Sequence, residues 1–191
     1  MELLRASAYR RAAWKNGGGL TDVVAVASGA RPAWRVSVAR IERDGPFSDF
    51  AGYDRSIVSL GTGVALAFAT GGIRALAPLQ PFAFAGEAAV EARLSHGPAS
   101  DLNVMTLRET CVQSVRAVDL GSNGVPVDAG DLAGFLYVAT GTVETDAGIA
   151  SAGDTIRLEA GERAIARSTD GPATTILVRI SAVRTSRPDG R

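Results

Sequence analysis

The sequence predicts an all-β chain made of two copies of one β-rich unit. Three observations carry this. Helical periodicity is almost absent, short apolar runs are separated by Gly, Pro, Asp and Asn, and one glycine-punctuated phrase occurs twice. Apolar runs with turn signals about every 8–12 residues are the pattern of a β-sandwich or barrel.

In chain order, the first distinctive stretch is WKNGGGLT, from Trp14 to Thr21. A phosphate-binding loop needs its lysine after the glycines and a helix following; here Lys15 precedes them. A dinucleotide fingerprint also enters a helix, whereas Leu20 to Val26 alternates as a strand does. The glycines are therefore assigned to a tight turn feeding a strand, where positive φ or close main-chain approach is needed.

Further strands are expected at Trp34–Ala39, Ser56–Leu60 and Val64–Phe68. In the second half they are expected at Gly134–Val138, Thr155–Leu158 and Thr175–Ile180. The later copy of the repeated phrase is FLYVATGTVETDAGIASAGDTIRLEAGERAIARS, with turns at Gly141, Gly148, Gly153-Asp154 and Gly161. The earlier copy is SIVSLGTGVALAFATGGIRALAPLQPFAFAGE, where Gly86-Glu87 stands in place of Gly153-Asp154. Two copies of a single unit is the economical interpretation. The join is expected near residues 112–130, with SNGVPVDAGD as a Gly-, Pro- and Asp-rich link.

The phrase of strand, glycine turn, strand, Gly-Asp and strand is similar to the small barrel of cupins. The implied fold class is an all-β bicupin, two fused small jelly-roll-type barrels in one chain. Residues 1–112 are expected to form the first lobe with a ligand pocket, 113–184 the second lobe, and 185–191 a flexible polar tail.

Composition narrows the function. Hydrophobic residues make up 46% of the 191, enough to bury a sizeable core. Lys+Arg and Asp+Glu both number 20, so the chain lacks the basic excess that a nucleic-acid surface requires. No apolar run approaches the roughly 20 residues that span a bilayer as a helix. The opening MELLRASAYRR lacks the apolar core of a signal peptide. The expectation is a cytoplasmic protein with no nucleic-acid or membrane partner. Cys111 is the sole cysteine and His96 the sole histidine. One imidazole cannot build the multi-histidine metal site of enzymatic cupins, so neither metal nor other cofactor is expected.

Strand alternation groups the remaining polar residues. On the strand from Trp34, Arg35 and Ser37 share a face with Ala39, opposite Trp34, Val36 and Val38. Farther on, Asp101, Asn103 and Met105 share a face. The phrases WKNGGGLT, WRVSVARIERDGPFSDFAGYDR and SDLNVMTLR, in this order, resemble the HutD/Ves family, bicupins associated with bacterial histidine utilisation. That resemblance implies a small-ligand binding or regulatory protein, with urocanate, formylglutamate or a similar small carboxylate as ligand.

The residues suit such a ligand. Arg35 and Arg55 each offer a planar fork to a carboxylate. Thr21, Ser37, Ser48 and Asn103 offer neutral hydrogen bonds, with Trp34, Phe47 or Met105 as apolar walls. Lys15 and Asn16 are placed with Thr21 at the rim, and Asp101 completes the set. A purely structural alternative stands beside this one: Arg55 pairs with Asp54, Arg35 with Asp101, and Asn103 satisfies buried backbone. Two other function classes remain open. One is a metal-independent isomerase, epimerase or lyase using His96, Asp101 or Tyr53 as acid and base. The other is a protein-binding module, and pairing through sheet edges would allow a homodimer.

Overall fold

The computed structural model describes residues 1–14 and 17–184. Lys15, Asn16 and the tail 185–191 lie outside the described residues. Among the described residues the chain is all-β apart from a 3-10 turn at Ala6–Ala8, and the strands form four sheets.

Each half consists of two sheets. In the first, a six-stranded sheet runs in the order Arg10–Ala13, Gly19–Val26, Trp34–Ile41, Ala99–Leu107, Tyr53–Ser59 and Pro81–Ala85. Its partner is a four-stranded sheet of Gly45–Pro46, Val90–Leu94, Val64–Phe68 and Gly72–Ala75. In the second half, a five-stranded sheet orders Glu2–Leu4, Thr155–Leu158, Ala133–Thr140, Ala173–Ala182 and Cys111–Leu120. Its companion contains Val125–Asp128, Arg163–Ser168, Thr142–Thr145 and Gly148–Ser151. The sheets are not closed barrels; each lobe is a pair of sheets around its own core.

Three apolar clusters hold this arrangement. One lies within the first half around Ile41, Ile57, Leu66 and Ala92. A second lies within the other half around Leu136, Val143, Ile156 and Leu177. The third joins the halves, packing Val36, Val58, Leu102 and Val104 against Phe135, Tyr137, Ile176 and Val178. Trp34 belongs there as well, its ring centroid 5.4 Å from that of Phe135. The strands Trp34–Ile41, Ala99–Leu107 and Tyr53–Ser59 are therefore covered on both faces, the odd positions of Trp34–Ile41 turning inward and Trp34, Val36 and Val38 toward the second half.

Two features of the join depart from the sequence reading. Cys111–Leu120 is a continuous strand, paired residue for residue with Ala173–Ala182. Within the expected link, Val125–Asp128 is also a strand, paired with Arg163–Ala166. The irregular connection shrinks to residues 121–124, because backbone groups in so compact a region find sheet partners. The chain's first strand also crosses over: Glu2–Leu4 pairs with Thr155–Arg157 in the second half. Asp154 fixes that crossing by accepting from the Ala6 amide at 2.9 Å and Arg5 Nη1 at 2.8 Å.

Candidate functional site

Sheet register converges the polar residues of the first half. Met105 lies between Arg35 on one side and Arg55 on the other, and Asn103 lies between Ser37 and Ile57. Asp101 is flanked by Ala39 and Ser59. Since directly opposed residues share a face, these side chains form one inward patch. A cavity of about 480 Å³ opens over it, within the range usual for small-molecule sites. Its polar lining is Thr21, Arg35, Ser37, Ser48, Arg55 and Asn103; Trp14, Phe47, Phe50 and Met105 give apolar walls.

The centre of the site is Arg55, only 5% exposed. Its guanidinium carbon lies 4.9 Å from the Phe84 ring centroid, 5.1 Å from that of Phe47 and 5.5 Å from that of Phe50. These ring faces partly replace water around the cation. Arg55 Nη2 donates to Asn103 Oδ1 at 2.8 Å, while Nε and Nη1 have no partner among the described residues. Burial lowers the guanidinium pKa to about 10; Asp101 opposes that fall and Arg35 adds to it. At neutral pH Arg55 is a fixed cation with unspent donors.

Behind Asn103 sits Asp101, fully buried. Asn103 Nδ2 donates to Asp101 Oδ1, and Asp101 Oδ2 has no partner among the described residues. Burial pushes this carboxyl up to about 7, against the pull of Arg55. Arg35 also has a buried Nε with no partner among the described residues, and its pKa is lowered by burial and by Arg10. Buried Arg55 and half-buried Arg35, both lining a cavity with apolar walls and both with open donors among the described residues, have the chemistry to accept a small anion.

Local chain geometry positions the walls. The segment carrying Phe47 and Phe50 is pinned by Phe47 N–H to Val90 C=O and Phe50 N–H to Gly86 C=O, each 3.0 Å. A Cβ on Gly86 would collide with the carbonyl oxygens of Phe50 and Tyr53, so only glycine permits this approach. The glycine run lets the strand Arg10–Ala13 return into Gly19–Val26, and a Cβ at Gly19 would strike the Arg40 carbonyl. Trp14 then reaches the rim, donating from Nε1 to Thr21 Oγ1 at 2.7 Å.

Of the residues proposed from sequence, Thr21, Arg35, Ser37, Phe47, Ser48, Arg55, Asn103 and Met105 line this cavity. Asp101 stands behind it, and Lys15 and Asn16 lie outside the described residues. Trp34 is not a wall; alternation sends it into the core between the halves. The sequence reading missed Trp14, Phe50 and Phe84. Trp14 and Phe50 stand inside the quoted phrases, but their convergence on one cavity depends on turns that alternation does not encode. The simple ion pairs are not formed as supposed. Asp54 points to the opposite face from Arg55 and binds Arg108 Nε at 2.7 Å. His96 is exposed in a loop, its Nδ1 3.1 Å from Ser95 Oγ rather than paired with Asp101. Tyr53 donates its hydroxyl to Pro32 C=O at 2.8 Å. Among the described residues, no three His, Cys, Asp or Glu side chains cluster as metal ligands, and no helix is long and apolar enough to cross a membrane.

Residues 6–182 match the HutD family. The chain belongs to the HutD family. Among its relatives, the Citrobacter koseri Ves protein is 41% identical over 110 residues, 56% of this chain and 58% of the relative. An uncharacterized 21.2 kDa protein in the hutC 3' region of Pseudomonas putida is 43% identical over 109 residues, 55% of this chain and 57% of the relative. The chain thus spans a little over half the length of the curated relatives it matches. HutD from Pseudomonas fluorescens SBW25, in a formate condition, superposes with a TM-score of 0.84 at 27% identity, covering 96% of this chain and 99% of that one. The cupin fold of this HutD-family chain is shared more distantly by a cupin 2 conserved barrel protein of Leptotrichia buccalis. That protein has a TM-score of 0.59 at 7% identity over 84% of this chain and 88% of its own.

Proposed function

We propose that the chain binds a small carboxylate metabolite in the first-half cavity, without a metal, and acts as a sensor or regulator linked to histidine utilisation. The observation that carries this is Arg55: a buried cation among three phenyl rings, with Nε and Nη1 unpartnered among the described residues at a cavity of about 480 Å³. A buried donor left unmatched costs about 1–3 kcal/mol, and a ligand carboxylate removes that cost. Arg35 supplies a second cation, and Thr21 and Ser37 supply neutral partners. Urocanate and formylglutamate are the candidate ligands: urocanate sets one carboxylate against a planar ring that suits the Trp14, Phe47 and Met105 walls, and formylglutamate sets two carboxylates and a formamide against Arg55, Arg35 and the neutral donors. The location of the Pseudomonas putida relative beside hutC supports the pathway assignment.

Thermal unfolding with each acid at millimolar concentration, followed by titration calorimetry, tests the reading. A ligand at a hundred times its Kd stabilises by about 2.7 kcal/mol. At about 2–4 °C per kcal/mol for a chain of this size, the melting point should rise by roughly 5–11 °C. If neither acid moves it, the carboxylate-sensor reading fails.

A further inference from the structure

The row Asp101–Asn103–Arg55 has a consequence for ligand binding, resting on the carboxylate reading above. Asn103 uses both ends of its amide: Oδ1 accepts from Arg55 and Nδ2 donates to Asp101. The row is buried throughout; Arg55 and Asn103 line the cavity, and Asp101 stands behind them. The charged groups around it are few. Arg55 stands on Tyr53–Ser59, Arg35 on Trp34–Ile41, and Arg10 acts on Arg35 from the outer strand. The other neighbours opposite Asp101, Ala39 and Ser59, carry no charge, and the Ser59 hydroxyl donates to Gly61 C=O. The aromatic wall of Phe47, Phe50 and Phe84 is likewise uncharged.

We propose that Asp101 is the charge-balancing residue of this cavity: an anion that engages Arg55 drives a proton from solvent onto the Asp101 carboxylate. The reason is electrostatic. Among the described residues, Arg55 is the cation that favours ionised Asp101 against its burial. A carboxylate on Arg55 cancels that attraction and adds a like charge at short range in a poorly solvated site. Both effects favour protonation. By linkage, protonation of Asp101 tightens anion binding by the same factor that the anion tightens the proton. Affinity therefore falls as pH rises through the titration of the free carboxyl, which burial has moved close to neutrality, approaching about tenfold per pH unit in the limit of one proton. Asp101 makes the site a joint sensor of carboxylate and pH.

The test uses the full chain and sodium formate, a small probe carboxylate that does not itself titrate near neutrality, with sodium chloride as the ionic-strength control. Calorimetric titrations at one near-neutral pH, in two buffers of different ionisation enthalpy, count protons taken up per formate bound. Wild type is expected to take up a substantial fraction of one proton and to weaken as pH rises. Asp101→Asn is expected to bind formate with no uptake and with pH-independent affinity over the same range. Because a buried substitution can impair folding, carboxyl-carbon NMR of wild type provides a variant-free arm: formate should raise the midpoint of the buried aspartate's titration. Formate binding with no proton uptake and an unmoved midpoint overturns the coupling while leaving the carboxylate reading intact. Failure of formate, urocanate and formylglutamate all to bind overturns both.

Discussion

Replacing Arg55 with methionine keeps an unbranched side chain among the three phenyl rings while deleting the charge. The structure sets the stability change as a balance. Burial has drawn the guanidinium down to about 10, which at about 1.36 kcal/mol per pKa unit makes the buried cation cost the fold roughly 3 kcal/mol at neutral pH. Against that stand the hydrogen bond to Asn103, about 1.5–3 kcal/mol for a charged donor, and the ring contacts, together about 2 kcal/mol. The terms nearly cancel, so Arg55→Met should change stability by no more than about 2 kcal/mol, or roughly 8 °C in melting point. Ligand affinity has no such compensation. Two unpartnered donors each able to contribute about 1.5–3 kcal/mol imply a loss of at least about 100-fold for a carboxylate ligand. Melting curves and calorimetric titration with urocanate or formylglutamate, run on wild type and variant together, measure both quantities. A collapse of the fold would mean that the Arg55–Asn103–Asp101 row is structural. Unchanged affinity in a folded variant would mean that the ligand does not use Arg55.

Three further outcomes follow from the same geometry. The Asp101 carboxyl near 7 keeps a proton in the folded state that the unfolded chain releases near 3.9, so its contribution to stability is lost as pH rises from about 4 to about 7. The full difference is about 4 kcal/mol, and urea unfolding across this window should show the slope in wild type and not in Asp101→Asn; equal slopes would refute it. Gly86→Ala should cost about 1–3 kcal/mol and weaken carboxylate binding, because its methyl group would push the Phe50 segment off Arg55; an unaltered variant by melting and titration would exclude that role for Gly86. Asp154→Ala should free the N-terminal strand, seen as faster limited proteolysis after Arg5 with the cavity's affinity intact, and no change in cleavage would deny Asp154 that strap function. Asp154 is held below its usual pKa despite its burial, by the Ala6 and Ser151 amides and Arg5. Its contribution is therefore present at neutral pH and lost as pH falls through the folded-state value.

Much of the candidate site could be assigned from alternation alone. Parity along a strand puts Arg35 with Ser37, Asp101 with Asn103 and Met105, and Asp54 opposite Arg55, whatever the register. The all-β class and the two-unit organisation likewise follow from short runs punctuated by glycine, because turn chemistry is local. What parity leaves open is which face meets solvent, a cavity or another sheet. Trp34 looked like a pocket wall on composition and became core because a second sheet covers that face, with Phe135 contributed from a hundred residues away. Phe84 came to Arg55 through the pairing of two strands whose register no local pattern states.

The sequence by itself determined the strand class, the face each side chain shares with its neighbours, and the three family phrases. Only the tertiary structure decided that the first strand completes the second half, that Trp14, Phe47 and Phe50 wall one cavity, and that Asp101 is sealed behind Asn103. The physical reason is one of range: side-chain parity and turn preference are properties of a few consecutive residues. Burial, register and the pKa of a sealed carboxyl depend on what distant segments bring against them.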